Sequence, residues 1–81
     1  MSVLLDESVL RQQLLTRSDE FRRLVSEHKS YSDRLEQLAG RHHLSEEEKL
    51  QEVTLKKKKL LLKDQMFAMV QKYRREMESG A

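Results

Sequence analysis

The stretch from residue 46 to residue 78 contains nothing that would interrupt a helix. The chain has no proline, and its only glycine ahead of Gly80 is Gly40. Proline and glycine are the two residues least compatible with a helix interior. Charged residues make up 37% of the 81 residues, with many Leu, Lys, Glu and Arg, which is typical of long helices. We therefore expect an all-α fold.

Signals for helix ends divide the chain into helices at about 3–16, 19–39 and 46–78, with a loop at 40–45. Gly40 stands where a glycine commonly ends a helix. Ser45 with Glu48 three residues later forms a capping-box pattern at the start of the last helix. Ser18, followed by two acidic residues, can cap a helix in the same way. One heptad pattern runs from Val3 to Leu38, so a single front helix is the alternative, but the cap signal favours a break.

The short loop at 40–45 predicts that the two long helices lie side by side and antiparallel. The expected architecture is an antiparallel helical hairpin, coiled-coil-like, with a short extra N-terminal helix. A chain of 81 residues is long enough for one domain, so we expect residues 1–81 to form a single helical-hairpin domain.

Two apolar stripes run along the last helix on roughly opposite sides. The first stripe has Lys57 and Asp64 among its apolar residues, which are Leu50, Val53, Leu60, Phe67 and, at its edge, Leu61. We expect this stripe to form an intrachain packing seam with the middle helix. That predicted seam consists of Phe21, Leu24, His28, Tyr31, Leu35, Leu50, Val53 and Leu60. The second stripe consists of Leu55, Leu62, Met66, Met69, Val70 and Tyr73. Leaving these groups in water would forfeit on the order of 10 kcal/mol, so the second stripe is the candidate association surface.

Three different segments or molecules could bury the second stripe: the folded-back N-terminal segment, a second copy of the chain, or another protein. We favour self-association, because the front segment already has a place on the first stripe. Within the seam, His28 is expected opposite Lys57. Burial and a cationic neighbour would both lower the pKa of His28.

Lysines form a candidate basic patch in the last helix. Its members are Lys56, Lys57, Lys58, Lys59 and Lys63. Four consecutive lysines point in four directions around a helix, which is typical of a solvated surface between apolar stripes. Sixteen basic residues face fourteen acidic ones, and no aromatic residues interleave with the lysines to stack bases. Nucleic-acid association is therefore the weaker alternative to protein–protein association.

The sequence does not indicate an enzyme or a cofactor protein. It has no glycine-rich phosphate loop and no cysteine. His42 and His43 are adjacent without an evident third ligand, so we expect no metal site. No apolar run is long enough to span a bilayer, and residues 1–7 lack the basic start of a signal peptide. We expect a cytoplasmic protein with no small-molecule substrate and no membrane partner.

Several segments resemble the YdcH-like family of small bacterial proteins. They are Phe21-Arg22-Arg23-Leu24, Glu27-His28, the loop 41–45, and the run LKKKKLLLKDQM at 55–66. The resemblance covers about residues 19–70. It implies a small helical hairpin, described as a domain of unknown function, and it implies no activity. The chain departs from the family at Tyr31-Ser32, where Leu-Asp is common, and at His42, where proline is common.

Overall fold

The computed structural model describes residues 6–79, which form three helices. Helix α1 spans Glu7–Arg17, α2 spans Asp19–Ala39 and α3 spans Glu46–Ser79. These bounds lie within one residue of the predicted ends at 16, 19, 39, 46 and 78. The predicted start near Val3 lies outside the described residues. The all-α hairpin with an extra N-terminal helix is confirmed: α2 and α3 form an elongated pair, and α1 packs on both.

Ser18 separates α1 from α2 and caps both helices. Its backbone is extended, with φ −118° and ψ 115°. Its N–H donates to the Leu14 carbonyl at 2.8 Å, while its hydroxyl accepts from the Phe21 N–H at 3.1 Å. One residue thereby satisfies backbone groups at two helix ends. The chain turns at Ser18, so α1 lies back across the end of the hairpin instead of extending α2.

The hairpin turn is closed by the predicted capping box. The Ser45 N–H donates to Glu48 Oε1 at 3.0 Å, and the Glu48 N–H donates to the Ser45 hydroxyl at 3.1 Å. Arg41 also pairs with Glu48. The hydrogen bond from the Ser45 N–H, helped by the Ser45 hydroxyl and the Arg41 charge, lowers the pKa of Glu48 below its usual value. Gly40 ends α2 with φ −78°, so this turn does not need the left-handed conformation that glycine permits.

The core lies where all three helices meet, at the end of the hairpin away from the loop. It joins α1, α2 and α3 in one cluster of buried apolar side chains: Leu10, Leu14, Phe21, Leu24, Leu62, Met66 and Val70. Leu15, Val25, Tyr31, Met69 and Tyr73 pack against this cluster and are half-buried. Leu38 and Leu55 are also buried, nearer the loop.

A hydrogen-bond chain fastens α1 to the C-terminal half of α3. Arg17 Nη1 donates to the Tyr73 hydroxyl at 3.1 Å, and that hydroxyl donates to Gln13 Oε1 at 2.7 Å. Together with Leu10 and Leu14, these contacts make α1 part of the cover over the second stripe of α3.

The predicted seam is wrong on the α3 side. Leu50, Val53 and Leu60 are exposed, whereas the second stripe faces the core. Val53 and Leu55 are two residues apart, or about 200° around a helix, so α3 is turned by roughly half a rotation from the expected orientation.

The charges on the first stripe explain this orientation. Its middle positions are Lys57 and Asp64, while the second stripe has one charged residue between Leu55 and Val70, the half-buried Lys59, which lies towards a cleft between α2 and α3. Burying a charge without a well-placed partner costs several kcal/mol. The helix therefore buries the stripe with fewer charges and leaves Lys57 and Asp64 in water. The α2 side of the seam is as expected at Phe21 and Leu24, which are buried, while His28, Tyr31 and Leu35 are half-buried.

The prediction that the second stripe associates with another chain is also wrong, because the rotation of α3 turns this stripe into the core. Leu55, Leu62, Met66 and Val70 are buried inside the chain, and Met69 and Tyr73 pack against the core. The cover is α2 together with the folded-back α1. This stripe is therefore unavailable to a second copy or to another protein.

Candidate functional site

The most exposed apolar surface of the described residues lies on the side of α3 opposite its buried stripe, and one edge of it, at Leu60, borders α2. We call this surface the outer face. Its large apolar side chains are 48–68% exposed: Leu50, Val53, Leu60, Leu61 and Phe67. For comparison, the neighbouring Leu62 is 8% exposed. Because full burial of one such side chain is worth about 1.5–3 kcal/mol, this face could contribute substantially to binding another surface.

Two side chains of opposite charge lie in the middle of the outer face. Lys57 comes three residues before Leu60, and Asp64 comes three residues after Leu61. Both are exposed. Neither forms an ion pair within residues 6–79. The middle of the outer face is thus apolar with one positive and one negative group, each free to meet a complementary group on a partner.

A groove of about 850 Å³ runs between α2 and α3 beside the outer face. Its floor is apolar, with Val25, Leu35 and Met66 among the lining side chains. His28 and four cations line it: Arg11, Lys56, Lys59 and Lys63. Glu36 and Glu52 also line it, and Glu52 pairs with Lys56 at 3.5 Å. The lining is mixed in charge and its cations are largely exposed, as expected of a solvated cleft between two helices.

His28 lies in this groove and not opposite Lys57. Partial burial lowers the pKa of His28, and the positive charges of Lys59, Lys63 and Arg11 lower it further. The direction agrees with the expectation, but the cationic neighbours are different ones because α3 is rotated. Arg11 reaches the site from α1, so all three helices contribute to it.

The His28 shift predicts that the protein is more stable above pH 6.5 than below it. The unfolded histidine titrates near pH 6.5, and the folded one titrates lower. Between these values the unfolded chain binds more protons, so the free energy of unfolding decreases as pH falls from about 6.5 through the folded pKa. Urea denaturation across this range should show the decrease, and His28→Asn should flatten it. An equal slope in the variant would contradict the assignment.

The predicted basic patch is dispersed around α3. Lys58 Nζ lies 6.0 Å from the centre of the Tyr31 ring, a distance suited to a cation–π contact. Lys56, Lys59 and Lys63 line the groove, and Lys56 also pairs with Glu52. Lys57 lies on the outer face. Three of the five lysines thus share the groove with Arg11, Glu36 and Glu52, while Lys57 and Lys58 lie elsewhere on α3.

Within residues 6–79, no three His, Cys, Asp or Glu side chains are grouped so that they could hold a metal ion. A separate search of the described helices finds none that is long and apolar enough to cross a membrane.

A family model described as "Protein of unknown function (DUF465)" matches residues 21–70, which is 50 of the 81 residues. The chain belongs to this family. The matched region of this DUF465 protein begins at Phe21 in α2 and ends at Val70 in α3, so it contains the hairpin and the outer face but not α1. The YdcH-like resemblance is consistent with the family. No curated protein and no solved structure matches the chain significantly.

Leu61, Phe67 and Asp64 were not among the predicted site residues of this DUF465 protein. The sequence did contain a feature that indicates their exposure. A stripe with Lys57 and Asp64 at its centre is a poorer core than a stripe of similar size with the single charge of Lys59. Assigning the less charged stripe to the core would have left the outer face as the surface available to a partner.

Proposed function

We propose that this DUF465 protein acts by protein–protein association, without catalysis, and that the outer face of α3 binds a second copy of the chain. The observation that carries the proposal is the concentration of large exposed apolar side chains on one side of α3. Exposed apolar patches of this kind, rimmed by polar residues, commonly mark protein interaction surfaces.

The charge balance of the outer face supports a second copy as the partner. A partner of strongly acidic or basic character would be repelled by one of the two central groups, Lys57 or Asp64. A surface of the same composition supplies both apolar groups and both signs of charge. Homo-oligomers with two-fold symmetry are also the commonest assemblies of small proteins.

Nucleic-acid binding is the alternative function, and it receives less support. Three of the lysines that suggested it line the groove with Arg11, but Glu36 and Glu52 line it too and offset part of the positive charge. Lys58 lies at the Tyr31 ring and Lys57 on the outer face, away from that group. Phosphate-driven binding needs several cations that can reach one backbone together.

Sedimentation equilibrium tests the proposal. At ~100 µM, where even micromolar affinity gives a populated complex, we expect an apparent mass near twice the chain mass of 9.7 kDa. The double variant Leu61→Lys and Phe67→Lys should be monomeric with unchanged helicity, since both side chains are exposed. Ser30→Lys with Gln37→Lys, at exposed α2 positions, adds the same charge as a control and should still dimerise. A strictly monomeric unmodified protein would contradict the proposal.

A further inference from the structure

We infer that two copies of the chain pack antiparallel through the outer faces of α3, about a two-fold axis that passes between Leu60 and Leu61. This inference rests on the proposed self-association and assigns its geometry. It follows from the order of apolar and charged residues along the face, which is complementary to itself when reversed about that point.

The reversal places four of the five large apolar groups of the outer face opposite apolar groups, while Leu50 lies opposite Gln71. In a two-fold interface, if one residue contacts a second on the partner, the second contacts the first in return. With the axis between Leu60 and Leu61, these leucines of the two copies meet at the centre. Val53 and Phe67 lie about seven residues on either side of the axis, so Val53 of each copy faces Phe67 of the second copy.

The same reversal matches opposite charges. Lys57 and Asp64 lie at equal distances from the axis, on the same side of α3 and two turns apart. Lys57 of each copy therefore faces Asp64 of the second copy, and the pair occurs twice. Both side chains are exposed and unpaired within the described chain, so the interface supplies a partner for each.

A further pair follows near the ends of α3. Glu46 and Arg75 are also equidistant from the axis, both are exposed, and both point to the outer face at about 100° per residue. Glu46 lies 3.7 Å from Lys49 of its own helix, but its side chain is 94% exposed, so it remains accessible to the second copy. Charge complementarity thus extends over nearly the whole helix.

Other arrangements of the same two faces lack this complementarity. Parallel packing would place Lys57 against Lys57 and Asp64 against Asp64. Sliding the antiparallel pair so that Lys57 or Asp64 lies on the axis brings like charges together. A slide by about one turn places each charge against a leucine, a valine or a phenylalanine, which removes water from the charge without providing a partner. Like-charge contacts and unpaired buried charges disfavour such competing interfaces.

Charge reversal tests the pairing. We expect Lys57→Glu alone and Asp64→Lys alone each to raise the dimer dissociation constant about tenfold or more, because each creates two like-charge contacts per dimer. The combined variant should restore most of the affinity. Lys29→Glu, at an exposed α2 position, makes the same charge change as Lys57→Glu and should have little effect. Unchanged affinity in both single variants, or a combined variant weaker than either, would overturn the inference.

Spin-label distances test the direction of packing, and the chain has no native cysteine to interfere. Glu47 and Gln65 are exposed and eighteen residues apart, so they lie on one line along α3, five turns from each other. Labels on Glu47→Cys should be separated by about 40 Å along the helices, and labels on Gln65→Cys by about 14 Å. Equal distances at the two positions would show parallel packing and overturn the inference.

The two tests separate this inference from the proposed function. A dimer that forms but shows no charge-reversal pattern, or gives equal label distances, leaves self-association standing and refutes the antiparallel register. A protein that is monomeric throughout refutes both.

Discussion

Replacing Leu62 with lysine is expected to unfold the protein, whereas the same replacement at the adjacent Leu61 should leave it folded. Leu62 is 8% exposed in the core and Leu61 is 61% exposed on the outer face. The Leu62 change loses the roughly 2–5 kcal/mol of a large-to-small core substitution and adds an unpaired buried charge. That loss is a large fraction of the total stability of a domain, about 5–15 kcal/mol.

Circular dichroism with urea denaturation measures this difference directly. It should be done at low micromolar protein or below, where dissociated chains dominate. Leu62→Lys should show little helix and no cooperative transition, and Leu61→Lys should unfold within about 0.5 kcal/mol of the unmodified chain. The reverse result, with Leu61 sensitive and Leu62 tolerant, would mean that α3 packs through its other stripe.

Phe21→Ala is expected to be the most damaging truncation, at about 3–5 kcal/mol. Phe21 is fully buried where α1, α2 and α3 meet, and its ring lies 5.8 Å from the Arg11 guanidinium. Its loss would therefore loosen α1 as well as the hairpin.

Phe67→Ala provides the matched control, since Phe67 is 57% exposed on the outer face. It should change the free energy of unfolding of the single chain by about 0.5 kcal/mol or less, while weakening association of two copies. Denaturation melts and sedimentation of the two variants separate these effects. A large loss of single-chain stability in Phe67→Ala would argue that the outer face is covered within the chain.

The helix ends could be predicted because the residues that determine them act locally. Ser18 and Ser45 each bond to backbone groups within three or four residues, and such contacts depend little on the rest of the fold. The hairpin was predictable for a similar reason, since a six-residue loop leaves the two long helices few alternatives to lying side by side.

The rotation of α3 could not be predicted from apolar periodicity alone. Both stripes have helical spacing and similar numbers of large side chains, so the hydrophobic term is nearly the same for each. The difference lies in the charges: burying Lys57 and Asp64 would cost more than burying the stem of Lys59, which lines the groove between α2 and α3. The position of α1 could not be predicted either, because its packing depends on contacts between residues far apart in sequence. The hydrogen bonds that connect Arg17, Tyr73 and Gln13 are an example.

Leu62 belongs to the core, whereas Leu60 and Leu61 form the exposed surface that we propose a second copy covers. Attenuation of leucine methyl signals by a soluble paramagnetic agent, measured at low and high protein concentration, tests both parts in one experiment. We expect Leu62 to be protected at every concentration, and Leu60 and Leu61 to be attenuated in dilute solution and protected as copies associate. Leu60 and Leu61 remaining attenuated at the highest concentration, or protected in the dilute protein, would contradict the account.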